Sequence, residues 1–203
     1  MRCSACTEAV AVLIIVRHGR TEANASGLLV GSRVDPGLDD LGRRQAAALG
    51  AVLAGADRVV CSPMRRTRET ADALRLPVEV DERWIEIDYG TLDGTPLSDV
   101  SAETWAAWRR DPHLKLGGGE SLAQVGARIA LACAELAVEA KERDIVVVTH
   151  VSPIKAAVTW ALGVDDATIW RLYCAPASIT EIATGGPTPS LRSFNVTTHV
   201  DDL

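Results

Sequence analysis

The chain has 203 residues, which suits one large domain or at most two small ones. Its 47% hydrophobic and 24% charged residues are typical of a globular protein, and its net charge of −6 argues against a nucleic-acid partner bound by a broad basic face. No apolar stretch reaches the roughly 18 residues needed to cross a bilayer, so we expect no membrane partner and a cytoplasmic location.

The N-terminal residues 1–9 are predicted to form a loose tail. Cys3 and Cys6 have the spacing of a metal or redox pair, but no second pair or nearby histidine completes such a site. We therefore expect reduced thiols there, and we predict neither a metal ion nor another cofactor.

The first half of the chain predicts three strands and two helices. A helix capped by Asp39 or Asp40 should run as far as Gly55, and Ser62 as a cap with Pro63 in the first turn should open the second helix. The predicted strands are a continuous apolar run, 10–16, and two short segments, 58–61 and 78–80.

The second half predicts an insertion, two long helices and three strands. The insertion, 89–119, is punctuated by glycine and proline and holds a short helix over 102–110. Ser121 and Gln124 match a capping box at the start of the longest helix, 121–141. A further helix should open at Ser152-Pro153 and end at Gly163, and the strands are 144–149, 178–183 and 191–194.

This alternation of strands and helices predicts the fold class. We expect an α/β three-layer sandwich whose central sheet has about six strands, mostly parallel, flanked by helices. We expect residues 1–203 to form a single domain.

Polar side chains follow three of the buried strands at their carboxyl ends. Arg17 and His18 follow the first strand, Ser62 and Arg66 the second, and His150 the strand that ends at residue 149. Ligands of open α/β sheets bind beyond these ends, so the side chains should converge. Two histidines, two arginines and two helix N-termini favour a strongly anionic ligand, and a phosphoryl group fits best.

Five motifs resemble those of a known family when they are taken in chain order. They are RHGRTEAN (17–24), SPMRRTRETA (62–71), WIEIDYGTLDG (84–94), GGGES (117–121) and VVVTH (146–150). Together they resemble the histidine phosphatase superfamily, in its phosphoglycerate-mutase-like branch, from about Leu13 to the C-terminus. The resemblance implies that the insertion covers the active site.

The resemblance also implies catalytic roles for five residues. His18 would be the nucleophile that takes the phosphoryl group onto a ring nitrogen, and Gly19 would let the chain turn so that its carbonyl holds the other nitrogen. Arg17 and Arg66 would bind the phosphoryl oxygens, and His150 would donate a hydrogen bond to the transferring group. The fifth residue, which would protonate the leaving oxygen and then activate water, is Glu86.

Several alternatives stay open at this point. Asp88 and Asp93 lie in the same polar loop as Glu86 and compete with it as the acid. Arg65 competes with Arg66, although it fits a solvated helix face better.

Further residues are predicted to contact the substrate. They are Asn24, Thr21, Arg20, Tyr89 and Val151. Two of these residues depart from the resembling family. The family more often has glutamate or glutamine at the position of Arg20, and glycine at that of Val151. These departures leave the substrate's identity open. Arg20, Arg109 and Arg110 are the candidate cations for a carboxylated sugar phosphate.

The favoured function is a metal-independent phosphomonoesterase that acts on a small phosphorylated metabolite through a phosphohistidine. The alternatives are a cofactor-dependent phosphoglycerate mutase and a non-catalytic phospho-ligand binding protein. The resembling mutases carry a longer insertion than the 63 residues, 87–149, that separate Glu86 from His150 here. The five tryptophans leave room for an apolar contact surface and hence for a homo-oligomer.

Overall fold

A computed structural model of the protein describes residues 12–203. The predicted tail, with Cys3 and Cys6, lies outside the described residues. The strands are β1 Val12–Arg17, β2 Arg58–Cys61, β3 Val78–Val80, β4 Ile145–Thr149, β5 Ile179–Ala183 and β6 Ser190–Val196. The helices are α1 Glu22–Ala25, α2 Asp40–Val52, α3 Arg65–Asp72, α4 Ala102–Arg110, α5 Leu122–Glu139 and α6 Val151–Leu162.

The strands form one sheet in the order β3-β2-β4-β1-β5-β6. The first four strands are parallel to one another, whereas β5 runs antiparallel to β1 and pairs with β6 as an antiparallel edge. The predicted α/β fold with a mostly parallel sheet of about six strands is confirmed.

Both faces of the sheet are covered, because alternate residues of each central strand point to opposite sides. On β1, Leu13 and Ile15 belong to one apolar cluster, which also contains residues of α5 and α6. Val16 belongs to a second cluster, which contains residues of α2 and α3. No helix in the described part of the chain is both long and apolar enough to cross a membrane.

The register of the parallel strands places three strand ends at the same level. Arg17 is the partner of Thr149 across β1 and β4, and Cys61 is the partner of Val148 across β2 and β4. The residues that follow these strands therefore meet at one edge of the sheet.

The predicted starts of two helices are wrong. The segment after β2 is not helical before Arg65, and Met64 is the N-cap of α3. The Ser62 hydroxyl contacts the ring of His150 instead of capping a helix. Helix α6 starts at Val151 with His150 as N-cap, so Pro153 is its third residue. Proline is tolerated there, because a backbone N–H in the first turn has no partner within the helix.

The remaining helix ends follow local signals more closely. Asp39 caps α2 through the N–H of Gly42, and the predicted capping box at Ser121 and Gln124 is confirmed. Helix α2 ends at Val52, three residues before the predicted Gly55.

Candidate active site

A cavity of about 350 Å³ lies at the edge where β1, β2 and β4 end. Seven of the predicted site residues line it, namely Arg17, His18, Asn24, Arg66, Glu86, Tyr89 and Val151. Their convergence comes from the strand register, because each of the three strand ends contributes residues.

His18 is held by the backbone on both sides. Its N–H donates to the carbonyl of Thr149 at 3.0 Å, and its own carbonyl accepts from the N–H of Ala177 at 3.1 Å. Its Nδ1 lies 2.7 Å from the carbonyl oxygen of Gly19. A carbonyl can only accept, so Nδ1 carries the proton and the lone pair of the neutral ring is on Nε2.

The electrostatic surroundings keep this imidazole neutral. His18 is 3% exposed, and burial, followed by the positive charges of Arg66 and Arg17, lowers its pKa well below 6.5. A neutral imidazole with a free Nε2 is the form that can attack phosphorus.

Gly19 is required for a different reason from the predicted sharp turn. Its φ is not in the left-handed region, but a Cβ at this position would lie 2.5 Å from the carbonyl oxygen of Gly42 in α2. The close approach of α2 to the loop after β1 therefore excludes a side chain at this position.

Arg66 is 1% exposed and is fixed by three of its five N–H groups. Nη2 donates to the carbonyl of Gly31 at 2.9 Å, Nη1 to that of Val34 at 3.2 Å, and Nε to Nδ1 of His150 at 3.2 Å. Two N–H groups are left for a ligand, a geometry that suits phosphoryl oxygens. By contrast, Arg65 is exposed and pairs with Glu69.

Arg17 approaches the same cavity from the end of β1. Its Nη1 donates to the carbonyl of Cys174 at 2.7 Å, and its Nη2 makes no hydrogen bond with the described residues. The guanidinium is therefore anchored at Nη1 and free to bind a ligand oxygen with Nη2, and its buried Nε also lacks a partner in the described part of the chain.

His150 contacts Arg66 and the ring of His18, and it does not line the cavity. Its ring centroid is 5.2 Å from that of His18, at an interplanar angle of 61°. Arg66 Nε can only donate, so Nδ1 of His150 accepts, and Nε2 carries the proton toward Ser62 Oγ at 2.7 Å. Both ring nitrogens thus have protein partners in this arrangement, whereas the sequence predicted a bond to the transferring group.

Glu86 is 4% exposed and is held by backbone N–H groups. They belong to Ile87 at 2.9 Å and to Val151 and Ser152, at the start of α6, at 3.1 and 3.2 Å. The N-terminus of α6, which we expected to bind the substrate's anion, binds this carboxylate instead.

The two competing carboxylates are placed away from the cavity. Asp88 pairs with Arg33 at 2.6 Å, and Asp93 accepts the N–H of Gly31 at 2.7 Å. Neither lines the cavity, so Glu86 is the carboxylate in position to act as the acid.

The predicted substrate contacts divide into two groups. Asn24 lines the cavity, and its Oδ1 accepts from Thr21 while its side-chain nitrogen Nδ2 makes no hydrogen bond with the described residues. Thr21 is fully buried and caps α1. Arg20 donates to Asp39 at 2.8 Å. Thr21 and Arg20 do not line the cavity, and the structure gives both side chains structural contacts instead.

The predicted cations on α4 do not line the cavity either. Arg109 and Arg110 are exposed, and the guanidinium carbon of Arg109 lies 5.6 Å from the ring centroid of Trp170.

The sequence interpretation missed part of the wall. Trp105, Trp108 and Trp170 line the cavity. Lys155 lines it as well. The sequence could have identified Lys155 as a cavity residue, because it follows Val151 by four residues and therefore lies on the same face of α6.

The described residues contain no group of three or more His, Cys, Asp or Glu arranged to hold a metal ion. The expected lack of a metal requirement stays a prediction.

Comparisons with known proteins identify the family of this chain. Residues 13–197 match the model of the histidine phosphatase superfamily (branch 1). The chain is 33% identical over 201 residues to phosphoserine phosphatase 1 of Hydrogenobacter thermophilus. The aligned region covers 94% of this chain and 95% of that protein.

Two solved structures are similar over nearly their whole length. The mycobacterial glucosyl-3-phosphoglycerate phosphatase complexed with VO3 has a TM-score of 0.82 and 31% identity, covering 92% of this chain and 99% of that one. The Entamoeba histolytica phosphoserine phosphatase in complex with 3-phosphoglyceric acid has a TM-score of 0.86 and 26% identity, covering 93% and 98%. The predicted resemblance is confirmed: the chain belongs to the histidine phosphatase superfamily, branch 1.

Proposed function

We propose that this protein hydrolyses a small phosphorylated metabolite by passing its phosphoryl group to His18 and then to water. One observation carries the proposal: a buried, neutral His18 whose Nδ1 is bound by the Gly19 carbonyl lines the same cavity as Arg17, Arg66 and Glu86. A protein that only bound a phosphorylated ligand would need neither a nucleophile nor an acid.

In the first step Nε2 of His18 attacks phosphorus, and the bond from phosphorus to the ester oxygen breaks. The leaving oxygen takes a proton from the carboxyl group of Glu86. The free N–H groups of Arg17 and Arg66 bind the non-bridging oxygens and stabilise the charge that develops on them.

In the second step a water molecule attacks the phosphohistidine. The Glu86 carboxylate, held by the N–H groups of Ile87, Val151 and Ser152, takes a proton from this water. The bond between Nε2 and phosphorus breaks, inorganic phosphate leaves, and His18 returns to its neutral form.

Hydrolysis is favoured over mutase chemistry for two reasons. Two relatives are named as phosphatases of small phosphorylated metabolites, phosphoserine and glucosyl-3-phosphoglycerate. In addition, the segment between Glu86 and His150 has 63 residues, a shorter cover than the resembling mutases carry. A shorter cover should admit water to the phosphohistidine.

The experiment is a panel of phosphomonoesters scored for released inorganic phosphate, with EDTA present. We expect release that EDTA does not reduce, and loss of activity with the chelator would contradict a metal-free mechanism. Conversion of 3-phosphoglycerate to 2-phosphoglycerate without phosphate release would identify a mutase instead.

The intermediate can be tested with radiolabelled substrate and protein quenched during turnover. We expect an acid-labile label on the wild type, and none on His18→Ala, which should lose activity by about 10³-fold or more. His113→Ala is the matched control, because His113 is exposed and does not line the cavity. Wild-type protein that turns over without a label would contradict the proposal.

The location, the partners and the oligomeric state of the protein also stay proposals. We propose a cytoplasmic location and a small-molecule partner in place of a nucleic acid or a membrane. A homo-oligomer is tested by the molecular mass of the purified protein in solution.

A further inference from the structure

Lys155 occupies an unusual place for a lysine of this chain. The sequence has three lysines, and Lys115 and Lys141 are exposed. Lys155 is half-buried on α6, one turn after Val151, and lines the cavity together with His18 and Glu86.

The ammonium group of Lys155 has no binding partner within residues 12–203, since it makes neither a hydrogen bond nor a salt bridge there. Burial lowers the pKa of Lys155, and the positive charge of Arg17 lowers it further, whereas Cys174 and Glu86 raise it through space without a hydrogen bond. A half-buried cation without a partner is costly, and an anion bound in the cavity would compensate this cost.

The other basic residues near the cavity have partners or functions. Arg66 makes three hydrogen bonds and faces the phosphoryl group, and Arg17 is bound to the carbonyl of Cys174. Arg20 pairs with Asp39, and Arg109 lies over Trp170. Lys155 is therefore the cation on the cavity wall that remains for a second charge on the ligand.

The wall that completes the cavity is aromatic. Trp108 packs edge-to-face on Trp170, with ring centroids 4.8 Å apart, and lies 5.7 Å from the centroids of both Tyr89 and Trp105. Such a wall favours an apolar or aromatic body in the ligand. A single ammonium matches a singly charged carboxylate, whereas a second phosphoryl group would call for the forked donors of arginine.

We propose that Lys155 binds a carboxylate on the leaving group of the substrate, and that Trp105, Trp108 and Trp170 pack against the apolar body that joins this carboxylate to the ester oxygen. The inference rests on the proposed function, because it concerns the leaving-group side of the same cavity. It makes Lys155 a specificity-determining residue.

The test uses 4-(carboxymethyl)phenyl phosphate and its methyl ester, two probes that differ in the charge of the carboxyl group and by one methyl group. They share the phenolic leaving oxygen, so a difference in kcat/KM reports the carboxylate. We expect the wild type to prefer the acid by about tenfold or more, as for a charged hydrogen bond. Lys155→Met should remove this preference, because kcat/KM should fall much more for the acid than for the ester, whereas Lys155→Arg should keep part of it.

The matched control is Lys141→Met, which removes an exposed lysine outside the cavity and should keep the wild-type preference. Equal loss on both probes in Lys155→Met, at an unchanged melting temperature, would overturn the inference. If that variant melts lower than the wild type, Lys155→Gln is judged by the same criterion.

Two further outcomes separate this inference from the proposed function. A wild-type enzyme that hydrolyses both probes equally, or neither probe while it releases phosphate from the broader panel, overturns the role of Lys155 alone. A protein that releases phosphate from no phosphomonoester overturns the proposed function and the inference with it.

Discussion

Nε of Arg66 donates a hydrogen bond to Nδ1 of His150 at 3.2 Å, and this contact determines the protonation of the second histidine. Because Nδ1 must accept, Nε2 of His150 carries the proton and donates it to Ser62 at 2.7 Å. The three side chains form a buried series that orients the guanidinium of Arg66, which the proposed mechanism places on the phosphoryl group.

Ser62→Ala should therefore weaken catalysis although Ser62 does not line the cavity. The substitution leaves the N–H of His150 buried and unpaired, which costs about 1–3 kcal/mol. We expect the site to relax by moving His150 and with it Arg66, and kcat/KM to fall by about tenfold. Steady-state kinetics check this, with Ser98→Ala, an exposed serine, as the control. Wild-type kinetics in a stably folded Ser62→Ala protein would contradict the positioning role.

Glu86→Gln should separate substrates by their leaving groups. An alkyl phosphate, whose leaving oxygen needs a proton, should be hydrolysed about 10²- to 10⁴-fold more slowly. The leaving group of an activated aryl phosphate such as 4-nitrophenyl phosphate needs a proton least, so its rate of hydrolysis should fall least. The control is Asp88→Asn, which changes a neighbouring carboxylate that pairs with Arg33. Equal slowing on both esters would show that Glu86 is not the acid.

The two buried histidines should make stability depend on pH. Burial, followed by the charge of Arg66, lowers the pKa of both His18 and His150 well below 6.5. As the pH falls through about 6.5 the unfolded chain therefore binds protons that the folded protein does not, and the free energy of unfolding decreases. Above that pH this contribution is fully present. Each histidine can account for at most about 1.4 kcal/mol per pH unit.

Denaturant unfolding at about pH 7.5, 6.5 and 5.5 measures this decrease. His18→Gln should show a shallower decrease than the wild type, because one of the two buried imidazoles is gone. His113→Gln, at an exposed position, should keep the wild-type slope. An unchanged slope in His18→Gln would refute this assignment of the acid sensitivity.

Gly42→Ala should be destabilising, although alanine is favoured over glycine inside a helix by about 1 kcal/mol. A Cβ on Gly42 would lie 1.9 Å from the carbonyl oxygen of Arg20, a backbone atom that a side-chain movement cannot relieve. We expect a loss of about 2 kcal/mol or more in the free energy of unfolding and reduced activity, because the loop carrying His18 must shift.

Gly55→Ala is the matched control, because a Cβ there meets nothing within 4 Å. It should change the free energy of unfolding by less than about 0.5 kcal/mol. Equal stability of the two variants would contradict the close approach of α2 to the loop after β1.

The sequence by itself determined the sheet and the reacting groups. Apolar runs and alternating helices predict parallel strands covered on both faces, and polar residues placed directly after such strands must meet at one edge. Arg17, His18 and Arg66 accordingly line one cavity, whereas Glu86, which lines it too, was expected there from the family resemblance. The capping box at Ser121 was equally predictable, because both of its partners lie within four residues.

Only the tertiary structure decided the contacts between distant segments. Ser62 matches a helix cap locally, but its hydroxyl bonds His150, 88 residues away, and α3 starts only at Arg65. The aromatic wall and Lys155 depend on how α4, α6 and the segment after α6 that carries Trp170 pack around the cavity, which no local pattern specifies. Hydrophobic periodicity and caps act within a few residues along the chain, whereas the partner of a buried polar group is chosen by packing across the whole fold.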